Sequence, residues 1–254
     1  MDAKSGYRLS LENELRSLRA LVVTHEVEVV LIRLAAHMVP AEHAESGDDY
    51  VRLVAGKIYP AVVAERLAES CDVSCECGVL TFAAAERALR GGKAKGVRLR
   101  IHADQLSRTG ACRVGAMTAD QLKFVTKEDA VAMREAGVSA VTLPAANYFL
   151  DQPERRPERA MILMQCPVAI ATDFNPGSAP TQSVPFAINA ACVRFGTTVA
   201  EAIVGATSTP PAPSTASRRW APWRRASRPT SSSAPSPTTS NAATGSARGP
   251  CPRS

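Results

Sequence analysis

The sequence predicts an α/β fold with parallel strands, closed as a barrel rather than left as an open sheet. Short β-rich apolar runs alternate with amphipathic helical runs from the start to about Thr207, the pattern of strands joined by right-handed helical crossovers. No GxGxxG or GxxxxGK[ST] string opens a helix, and such a phosphate loop is what an open dinucleotide-type sheet would carry. The length of 254 residues suffices for one barrel or two smaller domains with a sizeable buried core.

Taken in order, the first clear strand run is 29–34, leading into RLAAH at His37. Residues 48–70 are helical in pattern, with Pro60 as a kink or break. Thr81 opens the next helix, which Gly91 and Gly92 are expected to end. A strand over 96–101 runs into His102. Thr126, followed by Lys127, Glu128 and Asp129, reads as an N-cap with an acidic first turn, and Gly137 stops that helix. Strands follow at 138–143 and 168–171, the second leading into Asp173. Thr198 and Glu201 form a capping box for the last helix of the body.

Charge divides the chain in two. The formal net charge is +6, but residues 208–254 hold 7 Arg and no Lys, Asp or Glu. The remaining body has 23 basic and 24 acidic residues, so its charge does not suggest nucleic-acid binding. The last 47 residues also hold 9 of the 18 prolines and both tryptophans, a composition expected to stay disordered because it offers too little apolar surface to offset chain entropy. A body at 1–207 and a disordered Arg/Pro/Ser-rich tail at 208–254 are therefore expected. No apolar run reaches 18 residues and MDAKSGYRLS has no apolar signal core, so neither a membrane span nor a secretory signal is expected. Seven cysteines, an odd number, fit a reducing cytoplasm better than a disulfide framework. Cys71, Cys75 and Cys77 lack a second ligand pair at zinc spacing, and Cys112, Cys166 and Cys192 read as small core residues.

The chain has four histidines, His25, His37, His43 and His102. In a parallel barrel the C-terminal strand ends share the face that carries the chemistry, so His37, His102 and Asp173 are candidates to converge there. Imidazole and carboxylate at strand ends suit zinc or iron activating a water molecule. Ordinary hydrogen-bonded histidines at strand ends are the alternative.

Two longer strings, IHADQLS and ATDFNPGSAPTQS, with LPAANYFL between them, resemble the imidazolonepropionase family of the amidohydrolase superfamily. AKSGY and AAHMVPAEH match the same family in the same order, so the resemblance covers about residues 3–207. It implies a metal-dependent hydrolase that opens 4-imidazolone-5-propanoate to N-formimidoyl-L-glutamate in histidine degradation, with one zinc or iron ion. It assigns His102, on the fifth barrel strand, as a metal ligand. Asp173, closing the eighth, becomes the metal-linked aspartate that takes the proton of the attacking water. Tyr7, His37 and Gln105 match substrate-contacting positions, and Asn175, Gly177 and Ser178 match the loop that receives the propionate carboxylate. A small-molecule substrate is implied, with no nucleic-acid or membrane partner, and a homodimer is left open.

The departures from the family are specific. The His-x-His pair that supplies two metal ligands is missing from this chain, Gln121 stands where a functional histidine is expected, and Arg8 replaces a glycine. These differences predict an incomplete (β/α)8 barrel of about six strands, from the end of strand 2 to strand 8, with impaired activity. After VGAT the match ends, and the composition of 208–254 reads as a frameshifted segment. The alternative function is a non-catalytic remnant or interaction protein with a basic tail. A related amidohydrolase acting on another cyclic amide is a third.

Overall fold

A computed structural model describes residues 1–7, 9–23, 29–35, 37–43, 47–151 and 157–207. The expectations for His25 and for the 208–254 tail lie outside the described residues. Seven strands form one sheet in sequence order: β1 (Asp2–Ser5), β2 (Val30–Ala35), β3 (Ser70–Cys75), β4 (Arg98–Ala103), β5 (Thr118–Gln121), β6 (Ser139–Thr142) and β7 (Val168–Ile170). Every neighbouring pair is parallel. The resemblance implied about six strands, from the end of strand 2 onward; seven are present, and β1, at that end of strand 2, is four residues long and paired along its whole length with β2.

The sheet is curled, and one side chain demonstrates it. Lys4 on β1 reaches Asp72 on β3 at 2.8 Å and Asp120 on β5 at 2.5 Å. In a flat sheet β1 and β5 would stand about 19 Å apart, four spacings of roughly 4.8 Å, far beyond a lysine side chain. The structure is thus an incomplete (β/α)8-type barrel with an interior that Lys4 crosses.

Helices cover the outer face. They are α1 (Leu11–Val23), α2 (Gly47–Leu53), α3 (Tyr59–Ala64), α4 (Phe82–Lys93), α5 (Lys127–Glu135), α6 (Pro144–Phe149), α7 (Pro157–Leu163), α8 (Val184–Phe195) and α9 (Val199–Thr207). Strand alternation decides which residues meet them. Cys71, Val73 and Cys75 of β3 and Ile101 and Ala103 of β4 join Leu18, Tyr50, Ile58, Ala88, Leu89 and Met133 in one buried cluster. The intervening residues, Ser70, Asp72, Ser74, Arg100 and His102, point the other way into the barrel and are buried too.

Local signals in the sequence are realised with two differences. Thr126 accepts from Asp129 N while the Asp129 carboxylate accepts from Thr126 N, a reciprocal capping box; Thr198 and Glu201 pair in the same way. The run from Gly47 is helical to Ala64, but a π-helical segment, Val54–Ile58, absorbs the disruption just before Pro60. The helix opened by Thr81 does not end at Gly91 and Gly92. It passes through both to Lys93, because a Cβ on Gly91 would collide with Ala55 and one on Gly92 with Cys71. Those glycines are there for space, Gly91 letting α4 lie close on the π-helical segment and Gly92 letting it lie close on β3.

Candidate active site

The interior of a parallel barrel is usually filled by branched apolar side chains. Here Lys4, Asp72, His102 and Asp120 bring four ionisable groups into it from β1, β3, β4 and β5. His102 Nδ1 lies 3.1 Å from Asp72 Oδ1 and 4.0 Å from Asp120 Oδ2. Unpaired charges at such a depth would cost several kcal/mol each, so the mutual pairing makes the arrangement tenable. Burial by itself would raise the Asp72 pKa, but His102 and Lys4 outweigh it and hold the carboxyl well below its ordinary range. Burial opposes charge on His102, yet the neighbouring Asp72 prevails and its pKa is raised. Lys4 is likewise raised against burial by Asp120 and Asp72.

Above this layer the rings of Tyr7, His37 and His102 follow one another edge to face, with centroids 5.5 Å apart and then 6.0 Å apart. Gly6 makes this possible. Its φ of +135° suits glycine alone, and a Cβ there would strike the Leu34 backbone. The chain therefore leaves β1 tightly against the end of β2, which sets Tyr7 beside His37. Burial and then His102 push the His37 pKa down, and its Nδ1 is buried without a hydrogen bond. Burial and then the Asp173 charge push the Tyr7 pKa up. Asp173, just past β7, is itself raised by burial, against the opposing influence of His102, Lys4 and a hydrogen bond from Gln121. Tyr7 and Asp173, from the two edge strands of the sheet, are thus within electrostatic reach of each other.

Left-handed backbones also occur at these strand ends. Asp104 after β4, Gln121 ending β5 and Asp173 after β7 all have left-handed backbones, with φ of +57°, +80° and +55°. Such conformations cost of order 1–3 kcal/mol and concentrate at functional sites.

The other sequence candidates are held by their own loops. Glu76, at the end of β3, accepts from the backbone N–H groups of Gln105, Leu106 and Ser107 and from Ser107 Oγ. This fixes the loop carrying Gln105 through its backbone. Asn175 donates from Nδ2 to Asp173 O at 2.7 Å and to Ser178 Oγ at 2.8 Å, while its Oδ1 accepts from Gly177 N and Ser178 N at 2.9 and 2.8 Å. The loop is braced directly onto Asp173.

Sequence reading brought out His37, His102, Tyr7 and Asp173 but missed Lys4, Asp72 and Asp120 as members of the site. A signal was available for two of them: Lys4 lies between Ala3 and Ser5 and Asp72 between Cys71 and Val73, charged residues flanked by small or apolar ones. Asp72, His102 and Asp120 are also the group of side chains among the described residues whose donor atoms lie within 4.8 Å of one another, as a metal ion requires. The cysteines take no part. Cys71, Cys75, Cys112 and Cys166 are buried, and burial pushes the Cys71 thiol up to about 12.

No family model matches the chain. It is 43% identical over 214 residues to imidazolonepropionase of Shouchella clausii (strain KSM-K16), an alignment covering 82% of this chain and 48% of that protein. It is 44% identical over 214 residues to imidazolonepropionase of Geobacillus kaustophilus (strain HTA426), covering 82% of this chain and 50% of that protein. Over those 214 residues the chain is similar to the imidazolonepropionases. It spans about half the length of these relatives. Among solved structures, the apo N6-methyl-AMP deaminase of Arabidopsis thaliana superposes with a TM-score of 0.62 at 14% identity, over 87% of this chain and 68% of that one. A zinc-bound adenosine deaminase of Xanthomonas campestris gives 0.51 at 17% identity, over 72% and 44%. At these identities the likeness concerns the fold alone, and it agrees with the curled parallel sheet of this chain.

A divalent metal ion is the group such a site implies, and the donor set here fits one. His102 gives Nδ1 to Asp72 and keeps Nε2 available, Asp173 adds a carboxylate in electrostatic reach, and Asp120 Oδ1 is buried without a hydrogen bond. Imidazole with carboxylates suits zinc or iron.

Proposed function

We propose that this chain carries the site of an imidazolonepropionase-type hydrolase, which opens the ring of 4-imidazolone-5-propanoate to N-formimidoyl-L-glutamate, in a form with weakened metal binding. The observation that carries this reading is identity of 43–44% over 214 residues, supported by the electrostatic influence of His102 on the Asp173 carboxylate. The reading includes one zinc or iron ion, a small-molecule substrate, a cytoplasmic setting, and a body at 1–207 distinct from 208–254. Among the described residues no helix is long and apolar enough to cross a membrane, which is compatible with it.

His102 and Asp173 would hold the metal, whose chemistry when bound is to lower the pKa of water and polarise a carbonyl. Asp72 fixes the His102 ring through Nδ1, leaving Nε2 as the nitrogen that would serve the metal. Asp173, with its pKa raised by burial, accepts the proton of the attacking water and returns it to the leaving ring nitrogen. Tyr7 and His37 orient the imidazolone ring. Asn175 gathers Gly177 N and Ser178 N around its own Oδ1, donors from which a propionate oxygen would accept in its place, and the resemblance assigns Gln105 to the substrate as well.

The experiment is binding of the stable product, N-formimidoyl-L-glutamate, to the full chain by ligand-observed NMR. The reading expects saturable binding that weakens in Tyr7→Phe and Ser178→Ala and that succinate does not match. Absence of binding, or equal competition by succinate, would count against it.

A further inference from the structure

We propose that Lys4 is the resident cation of the Asp72–Asp120 pair and excludes a metal ion from it. This inference rests on the reading of the strand ends as a metal site, and concerns which carboxylates that site can use. The ammonium nitrogen lies 2.8 Å from Asp72 Oδ2 and 2.5 Å from Asp120 Oδ2. Zinc held by carboxylate oxygens sits about 2.0–2.2 Å from them, so an ion bridging the same two oxygens would lie almost on the Lys4 nitrogen. The two occupants are mutually exclusive.

Charge leads to the same result. Two buried carboxylates facing one ammonium carry a net single negative charge, and His102 Nδ1 adds a hydrogen bond to the far oxygen of Asp72. Three of the four oxygens of the pair therefore have partners in the protein, Asp120 Oδ1 being the exception. Asp72 becomes a positioning residue, holding the His102 ring by Nδ1, and does not act as a ligand. Asp72, His102 and Asp120 would form a three-donor site only with Lys4 removed.

The test is cobalt(II) binding to the full chain, followed by its visible absorption and by calorimetry, in wild type, Lys4→Met and Lys4→Arg. Lys4→Met should bind one equivalent at least about tenfold more tightly than wild type, with Lys4→Arg resembling wild type because the charge remains. Equal or weaker binding by Lys4→Met would overturn the proposal. Loss of the ammonium could also unfold the chain, so a second measurement uses wild type alone. The side-chain 15N resonance of Lys4 should persist as zinc is added. Its disappearance on zinc binding would mean that metal displaces the lysine, and would overturn the proposal. The metal-site reading is tested separately by His102→Ala. If that variant retains the metal affinity of wild type, the assignment of His102 fails whatever Lys4 does.

Discussion

Glu158, on α7 and almost fully buried, gives the sharpest stability prediction. Burial pushes its carboxyl up to about 8 from an ordinary value of 4.5. A raised carboxyl pKa means that the folded chain binds the proton more tightly than the unfolded chain. The associated stability is fully present below pH 4.5 and is lost as pH rises toward 8. Each tenfold difference in proton affinity between the two states is worth about 1.4 kcal/mol. Ionisation of Glu158 therefore costs about 1 kcal/mol at pH 5.5 and about 4 kcal/mol at pH 8. Glu158→Gln keeps the shape and removes the titration. Urea unfolding of both proteins at pH 5.5, 7 and 8 checks this, because subtraction cancels the other titrating groups. The variant should gain on wild type by about 3 kcal/mol across that range. A difference between the two proteins that stays constant with pH would mean that burial does not raise the Glu158 carboxyl.

Two further substitutions test the packing that supports the site. Gly92→Ala places a methyl against Cys71 and should lower stability by about 2 kcal/mol, visible as a reduced Tm; Gly92→Ala with Cys71→Ala should recover much of it, and no loss in the single variant would contradict the packing account. Glu76→Gln removes the charge from the hydrogen bonds that hold Gln105, Leu106 and Ser107, at a cost of about 1–3 kcal/mol; hydrogen exchange at 105–107 should speed up, and unchanged exchange would contradict that role.

Periodicity and caps made much of the fold legible. The runs over β2, β4, β6 and β7 and the caps at Thr81, Thr126 and Thr198 lie within one to two residues of expectation. β1 was harder to read because DAKS offers a single apolar residue, and it exists as a strand only through its pairing with β2. Gly91 and Gly92 misled because a sequence cannot distinguish a glycine that ends a helix from one that lets a helix approach a strand. In the site, His102 and Asp173 stood out by closing apolar runs. Lys4, Asp72 and Asp120 did not, since a charged residue in a short strand usually faces solvent. Only the curl of the sheet turns those three toward one another.

Metal content together with turnover decides whether this chain holds a working metal site. The 254-residue chain supplies His102 and Asp173 but contains no His-x-His pair, and a catalytic zinc normally takes three protein ligands. The purified chain, dialysed against zinc and separately against iron, should hold well under one equivalent and should leave the imidazolone chromophore of 4-imidazolone-5-propanoate unchanged beyond the spontaneous rate. Near-stoichiometric metal with turnover that vanishes in Asp173→Asn would contradict the account of weakened metal binding.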